Sequence, residues 1–125
     1  MIAVLDAGAL IAIDRRDRRV AALLRVLQSN GTEVHTSAGA VAQVWRSGSR
    51  QVNLGRVLSG LGTVALDETA ATKVGELLSA NCTSDVVDAH IALLVDTGDT
   101  VLTSDEADIR ALLRTRRVKA SVVRV

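Results

Sequence analysis

Three stretches of this 125-residue chain bring carboxylates to places where chemistry can be done. In IAVLDAGALIA, residues 2–12, an apolar run is cut once, by Asp6, as aliphatic residues give way to Ala7, Gly8 and Ala9. The pattern predicts a buried strand whose carboxyl end delivers Asp6 to the edge of the core, with a helix following at once. In SDVVDAHIALL, Asp85 and Asp88 stand three apart near a helix N-terminus and share one face. In VLTSDEADI, Asp105 follows an apolar run and Asp108 lies one helical turn on. Each acid has a plainer reading as a helix cap, since Asp is among the best N-cap residues. Three segments that each end in such an acid are a stronger signal than any one.

Carboxylates gathered without a cation repel one another, and no Lys or Arg stands inside these motifs to neutralise them. Asp88 has apolar neighbours in Val87, Ile91 and Leu94, so its charge is costly unless paired or bound to a cation. A divalent metal held by Asp6, Asp88, Asp105 and Asp85 is the economical solution. Hard oxygen ligands without His/Cys spacing favour Mg²⁺ or Mn²⁺ over Zn²⁺. Such a site suits phosphodiester hydrolysis. Thr103 and Ser104 supply hydroxyls that would orient Asp6 or Asp105 from behind.

The elements that must position these acids alternate. A short helix is expected at about residues 8–13, and a second, capped by Asp17, at 18–29 with Val20, Leu23, Leu24 and Leu27 on one face. EVHT (33–36) reads as a strand. Ser37 caps a helix to about Arg46 whose inward face includes Ala40, Val41 and Val44, and 49–61 reads as an amphipathic helix through Val52, Val57, Leu58 and Leu61. TVAL (63–66) is a third strand, and Asp67 caps a helix over 68–80. Ser84 or Asp85 caps another that closes at Gly98. TVLT (100–103) is a fourth strand, followed by a helix to about Leu113 and a last strand at 121–125. Strands alternating with helices predict a parallel sheet with right-handed crossovers in one domain spanning residues 1–125.

Composition narrows the function. Apolar residues make up 48% of the chain, yet there is no Phe or Tyr and one Trp, so broad single-strand binding on aromatic platforms is disfavoured. The lone Cys82 excludes an internal disulfide and fits a reducing compartment. The N-terminus lacks a basic leader and no apolar run approaches the ~20 residues of a membrane span, so a cytoplasmic protein is expected. Net charge is +1, but its distribution is uneven. Arginines cluster at 15, 16, 18 and 19, at 46 and 50, and at 114, 116 and 117, whereas seven of fourteen acids fall between Asp85 and Asp108. An acidic centre bordered by arginines suits a metal site that receives a polyanion; solvated helix ends would give the same runs.

The order LDAGALIA, SAGAVAQVWR, TSDVVDAHIALL, VLTSDEADI resembles the PIN domains, specifically the small VapC-type toxin ribonucleases of toxin–antitoxin pairs, over nearly the whole chain. The resemblance implies a three-layer α/β/α sandwich on a parallel sheet of four to five strands. It also implies Mg²⁺- or Mn²⁺-dependent cleavage of RNA (tRNA, rRNA or mRNA), a VapB-like antitoxin whose tail fills the acidic groove, and a homodimer. Carried onto this sequence, the family's acids fall on Asp6, Asp88, Asp105 and Asp108, and a helical Glu falls on Gln43. That amide is the main departure: it can donate an oxygen or orient a water but brings no charge. Either Asp85 compensates, or the site binds metal poorly and the chain is an RNA- or protein-binding module.

Arg46 and Arg50 follow Gln43 closely and are the expected phosphate contacts at the rim. His90 reads as a neutral, hydrogen-bonded histidine rather than a catalytic base, and Trp45 as a packing or interface residue. Other phosphate chemistries fit less well. Asp6 is followed by Ala7-Gly8, not by a second acid as a haloacid-dehalogenase phosphatase or a receiver domain requires, and neither GxxxxGK nor GxGxxG occurs.

Overall fold

A computed structural model describes residues 1–125. The chain runs β1 (Ile2–Leu5), α1 (Ala7–Asp14), α2 (Arg18–Ser29), β2 (Glu33–Ser37), α3 (Ala38–Val44), α4 (Val52–Leu58), β3 (Gly62–Val64), α5 (Glu68–Asn81), α6 (Val86–Leu94), β4 (Thr100–Thr103), α7 (Glu106–Thr115) and β5 (Ser121–Arg124). All five strands are parallel, in the order β3-β2-β1-β4-β5. The fold is the α/β/α sandwich that the resemblance implies, built on the parallel sheet that the strand–helix alternation predicts.

Topology places the layers. The chain steps one way from β1 through β2 to β3, with α1 to α4 in the crossovers, then returns across the sheet to β4 and β5, with α5 to α7 in the crossovers. Right-handed connections in opposite directions put the two helix sets on opposite faces. Accordingly α1 packs on α2, α3 and α4, while α5, α6 and α7 pack on one another. The strand order reverses between β1 and β4, and the crevice beyond the carboxyl ends of strands at such a switch point is where α/β folds bind ligands. Asp6 ends β1 there, and Ser104 and Asp105 follow β4.

The central strands are buried on both faces, which is why they are short aliphatic runs: Ala3, Val4, Leu5, Val101 and Leu102 are almost wholly buried. Leu10, Leu54, Ile91, Ile109 and Leu112 fill the layers above and below. Asp99 joins the N-terminal edge, its Oδ1 accepting from the Ile2 amide (2.9 Å) and its Oδ2 from the Asp96 amide (2.9 Å).

Most boundaries agree with expectation, and the exceptions have physical causes. The helix expected to run to about Arg46 ends at Val44, and the one expected over 49–61 covers only Val52–Leu58. The buried Gln51 amide explains both: its Oε1 accepts from the Arg46 (2.6 Å) and Ser47 (3.1 Å) amides, and its Nε2 donates to the Val44 carbonyl (2.9 Å) and to Asp14 (3.2 Å). A side chain thus takes the backbone groups that a longer helix would use. Val52, expected inward, is 65% exposed. The helix expected to close at Gly98 ends at Leu94, where Arg116 Nη1 takes the Ala92 and Val95 carbonyls (2.6 Å each). The third strand lies at Gly62–Val64 rather than 63–66.

Candidate metal centre

Asp6 is buried at 2% exposure and both its carboxylate oxygens accept hydrogen bonds. Oδ1 caps α1 by accepting from the Ala9 amide (2.9 Å), so the cap and site readings hold together. Oδ2 accepts a hydrogen bond from the Thr103 hydroxyl and another from the Ser104 amide (3.2 Å). Thr103 Oγ1 in turn accepts from the Asp105 amide (2.8 Å), so one hydroxyl ties the end of β1 to the turn after β4. Burial pushes the Asp6 carboxyl above its usual range, nearby Asp105 adds to that, and the bonds from Thr103, Ala9 and Ser104 oppose it.

Gly8 is what permits this approach. A Cβ built there would lie 2.0 Å from Ser104 Oγ and 2.4 Å from Ser104 Cβ. Any side chain at position 8 would push the β4–α7 turn off Asp6. A small residue two after an acid at a strand end is a signal visible in sequence, but it reads there only as helix-forming composition.

Asp88 enters from the opposite helical layer. Only 8% exposed, its carboxylate accepts no hydrogen bond; its amide donates to Asp85 Oδ1 (2.8 Å), making Asp85 the cap of α6. Burial first, then the charges of Asp85, Asp105, Asp6 and Asp108, push the Asp88 carboxyl up to about 7. Thus the fold gathers Asp6, Asp85, Asp88, Asp105 and Asp108 into one electrostatic neighbourhood with no basic group among the causes. Asp85, Asp105 and Asp108 are exposed and keep free oxygens. As they stand, no three acidic, His or Cys side chains lie close enough together to hold a metal ion. The donor chemistry is that of a hard divalent cation: the candidate ligands are all oxygen, and the Asp88 carboxylate accepts no hydrogen bond from the protein.

An open cavity of about 490 Å³ continues the site along β4 and β5, lined by Ser104, Asp105, Glu106, Asp108, Arg110 and Arg124. Gln43 lies exposed on α3, and its side chain makes no hydrogen bond. Arg46 donates Nη1 to the Ala42 (3.3 Å) and Trp45 (2.6 Å) carbonyls at the end of α3, while Arg50 is exposed in the following loop. His90 is buried, its Nδ1 2.5 Å from the Ser37 hydroxyl that also accepts from the Gly39 amide. Burial lowers its pKa against the opposing charge of Asp67, which favours the neutral ring. Trp45 lies against Gly48 and Gly55 and is 37% exposed.

No protein-family model matches the chain, and no curated protein matches it. Solved structures do resemble it. VapBC2 from Rickettsia felis, bound to a DNA fragment from its promoter, has a chain that superposes with a TM-score of 0.71 at 17% identity, covering 98% of both chains. FitAB bound to an IR36 DNA fragment gives 0.65 at 20% identity over 97% of this chain and 94% of that one. FitAcB from Neisseria gonorrhoeae gives 0.63 at 20% over 96% of each. At these identities the likeness is one of fold, and the chain has the PIN-like α/β fold of these structures.

Proposed function

We propose that this chain is a Mg²⁺- or Mn²⁺-dependent endoribonuclease, the toxin of a toxin–antitoxin pair. The observation that carries the reading is Asp88, a residue only 8% exposed whose carboxylate accepts no hydrogen bond, in the electrostatic neighbourhood of four other acids at the switch point of the sheet. The fold likeness to VapBC2, FitAB and FitAcB supports it and brings a VapB-like antitoxin into the proposal; the homodimer enters from the family resemblance of the sequence.

Asp6, Asp88 and Asp105 would hold the cation, with Asp85 and Asp108 adding charge or orienting water. When bound, the metal supplies Lewis acidity toward a phosphodiester and lowers the pKa of the attacking water. The chain's own residues set the geometry. Thr103 and the Ala9 and Ser104 amides fix both Asp6 oxygens, so that carboxylate is oriented before any ligand arrives. Gln43 would orient water or substrate without adding charge, and Arg46 and Arg50 would meet phosphates on the α3 side.

A second reading, a binding module that does not cut, is favoured by Gln43, the uncharged amide where the resembling family has a Glu. Incubation of a total RNA pool with wild type, Asp6→Asn and Gln43→Glu, in Mn²⁺ and in EDTA, separates the two. Metal-dependent cutting lost in Asp6→Asn supports the nuclease. Inert wild type with active Gln43→Glu supports the module, and no cutting by any form overturns the nuclease.

A further inference from the structure

Two arginines line the acidic cavity, and a third reaches its β5 margin. Of the two that line it, Arg110 is already neutralised, its Nε and Nη2 both on Glu106 Oε1 (3.0 and 2.8 Å). Arg124, at the end of β5, is exposed and forms no ion pair. Arg19, at the start of α2, reaches across to the same place: its Nη1 donates to the Arg124 carbonyl (2.8 Å), and it too has no acidic partner.

The Arg124 carbonyl points away from β4, because the next amide, that of Val125, donates to Thr103 in the opposite direction (3.0 Å). Arg19 therefore sits on the outer margin of β5, anchored through one nitrogen with its remaining N–H groups free. Asp105 and Asp108 line the same cavity as Arg124 yet pair with neither cation. One unpaired guanidinium beside carboxylates, with a second unpaired one bonded to its backbone carbonyl, suits a ligand with negative oxygens spaced along a chain, and planar Arg forks match phosphates.

We propose that Arg19 and Arg124 bind backbone phosphates of single-stranded RNA on the β5 side of the acidic site, so that the strand leaves the metal ligands along β5. This rests on the ribonuclease reading above, and it adds a flank on the side opposite Arg46 and Arg50. The two arginines are binding residues for phosphates beyond the one that reacts.

The test is fluorescence anisotropy of a labelled single-stranded oligoribonucleotide across a salt series, with Ca²⁺ occupying the oxygen ligands. Wild type is compared with Arg19→Gln, Arg124→Gln and, as a charge-matched control beside β3 at the other edge of the sheet, Lys73→Gln. Thermal melts verify folding, which these exposed positions should not disturb. Each of the first two variants should bind several-fold more weakly, and the slope of log affinity against log salt should shrink by about 0.7 per lost contact. Lys73→Gln should match wild type. If wild type binds and both variants keep its affinity and slope, the assignment is overturned while the nuclease reading stands. If all three variants weaken binding equally, the effect is net charge and the assignment is overturned. If wild type neither binds the oligoribonucleotide nor is stabilised by Mn²⁺, both readings fall.

Discussion

Thr103 is the residue on which the geometry of Asp6 depends most. Its hydroxyl donates to Asp6 and accepts from the Asp105 amide, and an isosteric Val would keep the volume while losing both bonds. Thr103→Val should lower Mn²⁺ affinity about 10–100-fold, the usual effect of removing a partner that orients a metal ligand; a thermal-shift titration reads it. Asp88 makes a second prediction, in pH. Its folded carboxyl titrates at about 7, whereas in an unfolded chain it would lose its proton near 4. Between those values the folded state holds the extra proton, so metal-free stability should fall as pH rises through that window. Asp6, raised as well, acts in the same direction. Urea unfolding in EDTA at about pH 5 and about pH 8 should show the loss, and Asp88→Asn should shrink it. The acids themselves were legible because each stands at the junction of an apolar run and a helix start. Which of them lacks a partner was not, since Asp85 caps the helix of Asp88 and Asp6 takes its bonds from β4.

At the scale of elements, the strands and the helices that flank them were readable wherever local chemistry decides the boundary. α2 begins after its Asp17 cap and ends at Ser29 as expected, and β4 covers TVLT. The misjudged ends were set by side chains distant in sequence: Gln51 reaching Asp14 and Val44, and Arg116 reaching Ala92 and Val95. No window along the chain contains such a pairing. Gln51→Ala should therefore destabilise the fold by about 2–3 kcal/mol, because buried backbone groups lose their partner, as urea denaturation would show. Gly8→Ala adds one methyl where α1 meets the β4–α7 turn, and overpacking of this kind costs about 1–3 kcal/mol. Its loss of metal response should exceed its loss of stability, since the displaced turn carries both Ser104 and Asp105.

For the whole molecule, the parallel sheet in the order β3-β2-β1-β4-β5 explains why carboxylates from three segments meet at one edge. That much follows from strand–helix alternation and the handedness of crossovers, which is why the fold and the convergence of these acids were readable together. The placement of charge was only half readable: the arginine run around residue 19 was visible, but its contact with Arg124 depends on the final position of β5. No helix is long and apolar enough to cross a membrane. Saturating Mn²⁺ should raise the melting temperature, because the cation relieves repulsion present only in the folded state. Asp88→Asn should abolish most of that rise.

The bond between Asp6 and the Ser104 amide joins residues 98 apart in sequence. During synthesis β1 is therefore made long before the strand that completes its site. At about 5–20 residues per second, the ribosome takes roughly 5–20 seconds to pass from one to the other. For that interval Asp6 exists without Thr103, Ser104 or Asp105 to orient it. A nascent chain stalled before β4 should show no Mn²⁺ response, so the proposed ribonuclease activity would be withheld from the translation machinery until the polypeptide is nearly finished.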